Sequence, residues 1–359
     1  SGENGHVAGQ QAERYFLHPP RTPYRPVIMK ALTRQLLNDF QREFPLNPEP
    51  FDRIARELRT STGNVLDQLR ELQIKGIVSR VGPVFRPNTI GASTLAAMAV
   101  PPAELETVAA IVNGFPQVNH NYEREHRYNL WFVVTAEDHQ VIDSTLDGIR
   151  QQTGYRVMSL PLVRDYHIDL GFHMALDRRQ QLQDLPDRFT AAADPHEEAP
   201  PAGSAEDLIE AIQAGLPLVP RPYREIAERL GCTETEVIER LRDMLECGII
   251  KRLGVVVRHH ELGYRANAMV VWDVPDDQVD RIGRHLGDQD CVTLRDQRPP
   301  RLPDRPYNLY CMVHGQDRDE VLACIERIAQ ALDLNAITLE VLFSGRRFRQ
   351  RGARYRATR

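Results

Sequence analysis

Three side chains able to do chemistry recur at every second position of one predicted strand. The stretch 117–134 reads QVNHNYEREHRYNLWFVV, and a period of two places His120, Tyr122 and Arg124 on one face together with Val118. An imidazole transfers protons or ligates a metal near neutral pH, a phenol donates a hydrogen bond, and a guanidinium binds carboxylates. These three polar residues are therefore the candidate catalytic residues of a site for an anionic ligand.

The chain after this strand predicts a hairpin that carries further polar and aromatic groups. Residues 128–134, YNLWFVV, are rich in the aromatic and β-branched types of a return strand. His126 lies at the predicted turn, where a place on the rim of a pocket and simple solvation are both open. Tyr128 is a candidate hydrogen-bond donor to the ligand, and Trp131 either stacks on the ligand or packs in the core.

The composition is that of a protein with ample material for more than one core. The chain has 359 residues, of which 42% are hydrophobic and 26% charged, so length alone predicts two or more domains. A net charge of −5 provides no general attraction to nucleic acid or to a membrane surface. No apolar run approaches the roughly 20 residues of a membrane span, and no signal segment is evident, so the expected location is the cytoplasm.

The cysteines predict neither a zinc ribbon nor a disulfide framework. All five lie in the second half of the chain, their number is odd, and no two have the CxxC spacing. We therefore expect reduced thiols, with Cys311 and Cys324 in the core.

A segment of about 60 residues occurs twice and predicts a winged helix-turn-helix in each copy. Helices are predicted over 31–39, 51–58 and 62–73, followed by two short strands over 77–85 that would form a wing. The same pattern returns from residue 206, and SRVGPVFRPNTIG at 79–91 aligns with KRLGVVVRHHELG at 251–263. The alignment pairs Arg80 with Arg252, Arg86 with Arg258 and Gly82 with Gly254. The chain is therefore an internal duplication with an offset of 172 residues.

Each wing is followed by an alternating pattern of the order βαββαβ. Such an order predicts an α+β fold of ferredoxin-like type, one antiparallel sheet covered on one face by two helices. The uncovered sheet face requires a partner, which the other copy can supply as an internal pseudo-dimer. The predicted organisation is an extended arm (1–26), winged helix-turn-helix 1 (27–90), ferredoxin-like domain 1 (91–177), a linker (178–204), winged helix-turn-helix 2 (205–262), ferredoxin-like domain 2 (263–345) and a basic tail (346–359).

This combination of domains resembles the Lrp/AsnC family of transcription regulators, and the resemblance covers nearly the full length of both halves. Taken alone, it implies binding of DNA and of an amino acid. The predicted recognition helices argue against DNA, because TETEVIERLRDMLE at 233–246 carries five acidic residues and two arginines. A net acidic helix is repelled by phosphates, so we expect no specific DNA binding.

A more specific resemblance is to the siroheme decarboxylases, which are relatives of the Lrp/AsnC proteins. HNYEREHRYNLWFV at 120–133 and VRDYHIDLGF at 163–172 resemble one subunit type, whereas RPYNLYCMVHG at 305–315 and LFSGRRFRQRGARY at 342–355 resemble the other. The chain is thus similar to a fusion of two subunits. The resemblance implies removal of the C12 and C18 acetate carboxyl groups of siroheme as CO2, giving 12,18-didecarboxysiroheme in haem d1 biosynthesis.

The resemblance also implies which partners and cofactors to expect. The substrate carries its own iron and its macrocycle can accept electrons, so we expect no additional cofactor. Siroheme and its decarboxylated products are the expected partners, without a membrane, and the fused chain can associate further into a homo-oligomer. Two alternatives remain open at this point: a DNA-binding regulator that senses a tetrapyrrole, and a non-catalytic tetrapyrrole carrier.

The flat, polyanionic substrate that the resemblance implies suggests roles for several further residues. His120 either ligates the substrate iron or donates a proton, and it is the one candidate metal ligand. The candidate substrate-binding residues are Arg80, Arg86, His126, Tyr128, Trp131, His167, Arg252, Arg258 and Tyr307. The second copy has Leu294 opposite His120 and Asp296 opposite Tyr122, so we predict the main site in the first copy.

Overall fold

A computed structural model gives the structure of the protein and describes residues 31–168, 202–257, 266–286 and 291–352. The predicted arm, most of the predicted linker, Arg258, the side chain of His167 and the end of the chain from residue 353 lie outside the described residues. Within the described residues, no helix has the length and apolar character needed to cross a membrane.

Apart from the predicted wings and the additional strand β6, the helices and strands follow the predicted order in both copies. The helices are α1 (Ala31–Asp39), α2 (Pro50–Glu57), α3 (Thr62–Ile74), α4 (Leu105–Gly114), α5 (His139–Thr153), α6 (Ala202–Ile212), α7 (Pro222–Leu230), α8 (Glu234–Glu246), α9 (Val279–His285) and α10 (Arg318–Ala331). The strands are β1 (Val78–Phe85), β2 (Ala92–Met98), β3 (Val118–Arg124), β4 (Leu130–Ala136), β5 (Met158–Pro161), β6 (Arg164–Ile168), β7 (Ile250–Val257), β8 (Ala266–Trp272), β9 (Val292–Gln297), β10 (Leu309–Gly315) and β11 (Leu339–Gln350).

The helix starts in the two helix-turn-helix units follow from local sequence. Thr233 and Glu236 form a capping box at the start of α8, in which each side chain accepts a hydrogen bond from the other residue's backbone N–H. A proline opens both α2 and α7, where its missing N–H costs no hydrogen bond. The apolar faces of both units, from Leu36 to Val257, pack into a single shared core.

The predicted wing of two short strands in each copy is wrong. Each copy contributes one continuous strand instead, and β1 pairs with β7 in an antiparallel ladder that brings Gly82 opposite Gly254. A wing hairpin satisfies its backbone hydrogen bonds within one copy, whereas here each strand satisfies them with the equivalent strand of the other copy. The two helix-turn-helix units are therefore joined by backbone as well as by side chains.

The remaining strands form a nine-stranded sheet of order β5-β2-β4-β3-β11-β8-β10-β9-β6. Strand β11 of the second copy pairs with β8 through residues 339–343 and then with β3 of the first copy through residues 344–350. The chain after β5 makes the reciprocal crossing, because β6 pairs with β9 of the second copy. Each copy thus donates its last strand to the sheet of the other, and residues 346–350 belong to β11 rather than to the predicted basic tail.

Three apolar clusters confirm the α+β pseudo-dimer. In the first copy, α4 and α5 cover one face of β2–β4 with residues such as Val108, Ile142 and Phe132. The second copy has an equivalent cluster under α9 and α10. The opposite sheet faces meet in a third cluster of residues from both copies: Ala97, Tyr128, Trp131, Met158, Leu160, Met269, Val271, Tyr307, Tyr310 and Leu342. The uncovered sheet faces therefore cover each other, as predicted.

The asparagine shared by the two hairpins has a structural role in each copy. Asn129 donates to the carbonyl of Val100 at 2.8 Å and accepts from its N–H at 3.0 Å. Asn308 makes the same pair of bonds to Val274, at 2.7 and 3.0 Å. The asparagine of the repeated Tyr-Asn-Leu sequence thus connects the start of the return strand to a neighbouring backbone segment in both copies.

The expectation of reduced cysteines is wrong for one pair. Cys291 and Cys324 form a disulfide that joins the start of β9 to α10. Their separation of 33 residues has no motif spacing, so the sequence alone did not reveal that the fold brings the two side chains together. Cys311 and Cys324 are both fully buried, which confirms their prediction as core residues.

Candidate active site

A bulge in β3 decides which of its side chains lie on the sheet face that is turned away from α4 and α5. The ladder between β3 and β4 is irregular between Val118 and His120. Val118 is therefore buried under the helices, and not on the face of His120 as the simple alternation predicts. Asn121 also points to the helices, where its side chain donates to the carbonyl of Ala109 at 3.3 Å and to Asn113 at 3.1 Å. His120 and Tyr122 consequently share the opposite face.

An apolar strip lies beside these two residues. His120 is opposite Val133, which is in turn opposite Leu95 on β2, so the three side chains form a row across the sheet. All three are half-buried. The rings of His120 and Tyr122 are near-parallel, with centroids 6.3 Å apart and an interplanar angle of 14°. The face thus combines an imidazole, a phenol and apolar surface, which suits a flat ligand.

The electrostatic surroundings of His120 keep its imidazole neutral. Burial and the nearby positive charge of Arg80 lower the pKa of His120 from 6.5 to about 4. Arg80 reaches this region from β1, where its guanidinium also donates to the carbonyl of Pro83 at 2.9 Å. A neutral imidazole can ligate iron or accept a proton. A bound carboxylate would counter the charge of Arg80 and raise the affinity of His120 for a proton.

We expect the stability of the protein to fall as the pH is lowered from 6.5 to about 4, in part because of His120. The folded chain resists protonation of this residue, whereas the unfolded chain binds the proton near pH 6.5. Within this window the unfolded state binds more protons, so the free energy of unfolding decreases with decreasing pH. Urea denaturation across the window should show a weaker pH dependence for His120→Phe. Equal pH dependence in both proteins would contradict the assignment.

Arg124, the third predicted catalytic residue, joins the two copies instead. Its buried guanidinium donates to the carbonyl of Leu342 at 3.1 Å and to Ser344 at 2.8 Å, both on β11. Burial lowers the pKa of Arg124 to about 10. Arg298 makes the reciprocal contact, donating to the carbonyl of Leu160 at 2.6 Å. The arginine is therefore common to both copies and belongs to the architecture.

Replacing Arg124 with methionine is expected to destabilise the fold by about 2 kcal/mol, because carbonyl and hydroxyl groups bonded to a charged donor lose their partner. Arg298→Met should destabilise the protein at least as much, since it also leaves the buried Asp296 without its ion pair at 2.7 Å. Urea denaturation measures both effects. An Arg124→Met protein with wild-type stability and no turnover would return Arg124 to the chemistry.

His126 and Tyr307 meet in a second polar cluster at the junction of the two sheets. The Nε2 atom of His126 lies 3.1 Å from a carboxylate oxygen of Glu340, and the same carboxylate is 3.3 Å from the guanidinium of the buried Arg305. Burial and the neighbouring Glu340 raise the pKa of Tyr307 to about 12. Both predicted substrate-binding residues, His126 and Tyr307, therefore have interaction partners within the protein.

Tyr128 and Trp131 are likewise part of the structure between the sheets. Trp131 is 2% exposed, and its indole N–H donates to the carbonyl of Tyr128 at 2.6 Å. The guanidinium of Arg305 lies 5.1 Å from the ring centroids of both Trp131 and Tyr307. Tyr128 is 7% exposed, and burial raises its pKa. Of the two places that the sequence left open for Trp131, the structure shows the one in the core.

The predicted wing arginines differ in whether the structure places them near His120. Arg252 is buried and donates to the carbonyl of Gln41, which corrects its assignment as a substrate ligand. Arg86 lies against the turn after α8, where a Cβ on Gly248 would be 3.5 Å from its Nη2 atom. Of the wing arginines that the structure describes, Arg80 alone is placed at His120. The predicted roles of Arg258 and of the His167 side chain concern groups outside the described residues.

The equivalent surface of the second copy has different chemistry. Leu294 occupies the position of His120 and lies opposite Ile168, while Asp296 occupies that of Tyr122 and lies opposite Asp165. Asp296 is buried, and desolvation raises its pKa despite the ion pair with Arg298. The position lacks the imidazole, and two carboxylates face each other where the first copy has none.

Sequence reasoning missed Leu95, Val133 and Gln350 around His120, whereas Arg346 and Arg347 were candidates only as part of a basic end that could close over an anionic substrate. Leu95 and Val133 were hidden in strand patterns typical of any core, and Arg347 and Gln350 stand in the basic end without a mark of their destination. The pairing of β11 with β3 brings these last two to the site. A shallow depression of about 160 Å³ is lined by residues Arg347, Phe348, Arg349 and Gln350. Among the described residues, no group of three or more His, Cys, Asp or Glu could hold a metal ion.

The fold and this site define the class: a tandem ligand-binding protein of AsnC-like type, with helix-turn-helix units fused into its scaffold. The family model described as the AsnC-like ligand binding domain matches residues 90–167 and 261–349. The model of the siroheme decarboxylase NirDL-like HTH domain matches residues 33–78 and 206–251. A siroheme decarboxylase NirDL subunit of Paracoccus denitrificans is 42% identical over 91% of this chain and 98% of its own length. The chain belongs to the siroheme decarboxylase family of NirDL type.

Two further relatives illustrate the tandem arrangement and the ligand class. The siroheme decarboxylase NirD subunit of Stutzerimonas stutzeri is 52% identical over 40% of this chain and 93% of its own length, which is the length of one copy. A crystal structure of a siroheme decarboxylase NirDL in complex with an iron-uroporphyrin III analogue is 29% identical, covering 90% of this chain and 93% of that one with a TM-score of 0.60.

Proposed function

We propose that this protein is a siroheme decarboxylase that removes the C12 and C18 acetate carboxyl groups of siroheme as CO2. The product is 12,18-didecarboxysiroheme, an intermediate for haem d1. The observation that carries the proposal is the face of β3, where His120 and Tyr122 lie beside the apolar strip of Leu95 and Val133 and near the positive charge of Arg80. Family membership supports the same chemistry.

The groups of this face match the needs of the reaction. Each acetate loses its carboxylate as CO2, the electron pair of the broken bond passes to the adjacent pyrrole, and a proton completes the new methyl group. The pyrrole system accepts the electrons, so we propose that no additional cofactor takes part. Half-buried apolar side chains disfavour the charged carboxylate relative to neutral CO2, so they favour decarboxylation.

His120 has two compatible roles in this proposal. Its neutral imidazole is suited to ligate the substrate iron, and a carboxylate placed beside it would oppose the charge of Arg80 and favour the protonated, acidic form. The phenol of Tyr122, on the same face, can donate a hydrogen bond to a neighbouring carboxylate. We propose that His120 either ligates the substrate iron or donates the proton that completes the methyl group. We propose that Tyr122 orients the substrate.

We propose one catalytic site per chain and no sequence-specific DNA binding. The second copy has Leu294 and Asp296 in place of the histidine and tyrosine, so both acetates would react at the site of the first copy in successive binding poses. The recognition helix α8 begins with Glu234 and Glu236 and has no basic residue in its last turn. Such a helix opposes the phosphate neutralisation on which DNA affinity depends.

Anaerobic incubation with siroheme tests the proposed function. Mass spectrometry should show stepwise loss of two CO2 molecules, with the monodecarboxylated compound as an intermediate. A bound chromophore of unchanged mass would contradict the proposal and leave a carrier function. Retention of duplex DNA with sequence preference at physiological salt would contradict the statement on DNA binding.

A further inference from the structure

The last strand of the second copy borders the site of the first. In the antiparallel ladder between β3 and β11, Arg347 is opposite Tyr122 and Gln350 is opposite His120. Side chains of residues directly opposite each other extend to the same face of a sheet. Arg347 and Gln350 therefore share the face of the imidazole and the phenol, although they belong to the other copy.

Irregularities in β11 separate its arginines between the two faces. The ladder is interrupted between Ser344 and Arg347 and again between Arg347 and Arg349. Arg346 extends to the helix side, with ion pairs of 2.7 Å to Glu123 and 2.6 Å to Glu106.

Arg349 also extends to the helix side, where its guanidinium donates to the carbonyls of Asn113 and Phe115 at the end of α4. Arg347 is the member of this trio on the His120 face, and it is exposed. The sequence GRRFRQ therefore presents one guanidinium to the site.

A neighbouring amide on the same strand contacts this guanidinium. Arg347 donates to the side-chain oxygen of Gln350 at 3.2 Å, and this contact does not use the amide NH₂ of Gln350, which is a donor. Two residues further on, the chain reaches Arg80, since a Cβ on Gly352 would lie 2.9 Å from the Nη1 atom of that arginine. Residues 347–352 thus run past His120 from one arginine to another.

The second copy reverses this charge. Asp165 faces Asp296 at the register position where Arg347 faces Tyr122. Lys251, 3.5 Å from Asp165, and Arg298, 2.7 Å from Asp296, neutralise these carboxylates within the protein. An exposed arginine is therefore found at the surface that also has the histidine, and carboxylates are found at the surface that lacks it.

We propose that Arg347 binds a carboxylate of the tetrapyrrole and, with Gln350, sets which acetate is presented to His120. The inference rests on the proposed function and deepens it, because the second copy, which lacks the histidine, becomes a necessary part of the site. The planar fork of the guanidinium matches a carboxylate in a bidentate geometry. The amide of Gln350 holds the fork and adds one donor. Arg347 is thus a determinant of substrate pose.

Substitution of Arg347 tests the inference through binding as well as turnover. The full-length wild-type, Arg347→Gln and Arg347→Asp proteins are titrated with iron-uroporphyrin III, following the absorbance of the bound chromophore. Arg347→Gln should raise the apparent Kd roughly tenfold through loss of a charge-assisted pair. Arg347→Asp should raise it roughly a hundredfold, because it places a carboxylate, as the second copy has at this position, against the carboxylates of the ligand. With siroheme, the variants should also accumulate the monodecarboxylated product, since the pose of the substrate is no longer fixed.

Arg346→Gln is the matched control. It removes the same charge from the adjacent residue, but on the opposite face and from an exposed pair, so the Kd should stay within about twofold of wild type. Thermal unfolding of each variant verifies the fold.

A wild-type Kd for Arg347→Gln and Arg347→Asp, in a protein that decarboxylates siroheme, would overturn the inference and leave the proposed function intact. Equal losses for Arg346→Gln and Arg347→Gln would also overturn it. Failure of the wild-type protein to decarboxylate siroheme would refute the proposed function itself.

Discussion

Replacing His120 with alanine is expected to lower the rate of siroheme decarboxylation roughly a thousandfold, within the range lost when a positioned acid or base is removed. The reason is geometric. His120 is the titratable imidazole on the β3 face, and its neighbours Val133 and Leu95 provide apolar surface but no proton donor. The measurement is an anaerobic single-turnover assay with mass detection of each decarboxylated product.

The second copy offers a matched control for this substitution. Leu294 occupies the equivalent position in β9, opposite Ile168, so Leu294→Ala removes a side chain at the same place in the duplicated fold. Its decarboxylation rate should remain close to that of the wild-type protein. His120→Gln, which keeps a polar side chain of similar size, guards against a loss of fold. Full turnover in both His120 variants would remove this residue from the chemistry.

Replacing Gly254 with valine is expected to destabilise the protein by about 3 kcal/mol, the upper part of the usual range for overpacking. Strand β7 passes directly over the end of α1, where the N–H of Val255 donates to the carbonyl of Phe40 at 2.8 Å and the N–H of Phe44 donates to the carbonyl of Leu253 at 3.2 Å. A Cβ on Gly254 would collide with the backbone carbonyl of Gln41. Backbone cannot move aside as a flexible side chain can.

Gly63 provides the control, because a Cβ there would meet nothing within 4 Å. Gly63→Ala lies in the first turn of α3 and should stabilise the protein slightly through its helix preference. Chemical denaturation followed by circular dichroism distinguishes the two variants. A Gly254→Val protein as stable as the wild type would show that the contact between β7 and the end of α1 is not tight in solution.

The duplication explains why much of the fold was predictable from the sequence. Helical spacing and period-two alternation depend on local residues, and two copies of one pattern support each other. Helix α1 (Ala31–Asp39) has the bounds that the sequence predicts, and α3 (Thr62–Ile74) is one residue longer than predicted. The paired glycines Gly82 and Gly254 were visible as a repeat. Their purpose was not, because it depends on the contact between β1 and β7 and on the helix ends beneath each strand.

The candidate site was predictable to the extent that it depends on one strand. His120 and Tyr122 share a face, as alternation predicts, but the bulge after Val118 moves that residue to the other side. Alternation alone placed Arg124 in the site, whereas its contact with Leu342, matched by that of Arg298 with Leu160, depends on how the two copies pack together. Arg347 was a candidate only as part of the basic end, and its place opposite Tyr122 was out of reach because it depends on strand exchange between copies, a non-local pairing that no local pattern encodes.

The strand exchange has an evolutionary consequence. In a homodimer, each substitution appears at two places, so a change that suits one site is imposed on the other. A tandem chain is released from that constraint. Here β11 can acquire Arg347 while its counterpart β6 carries Asp165, and both strands still complete the sheets of their partners. Backbone pairing, which does not depend on side-chain identity, maintains the assembly while the two halves diverge, as His120 and Leu294 at equivalent positions illustrate.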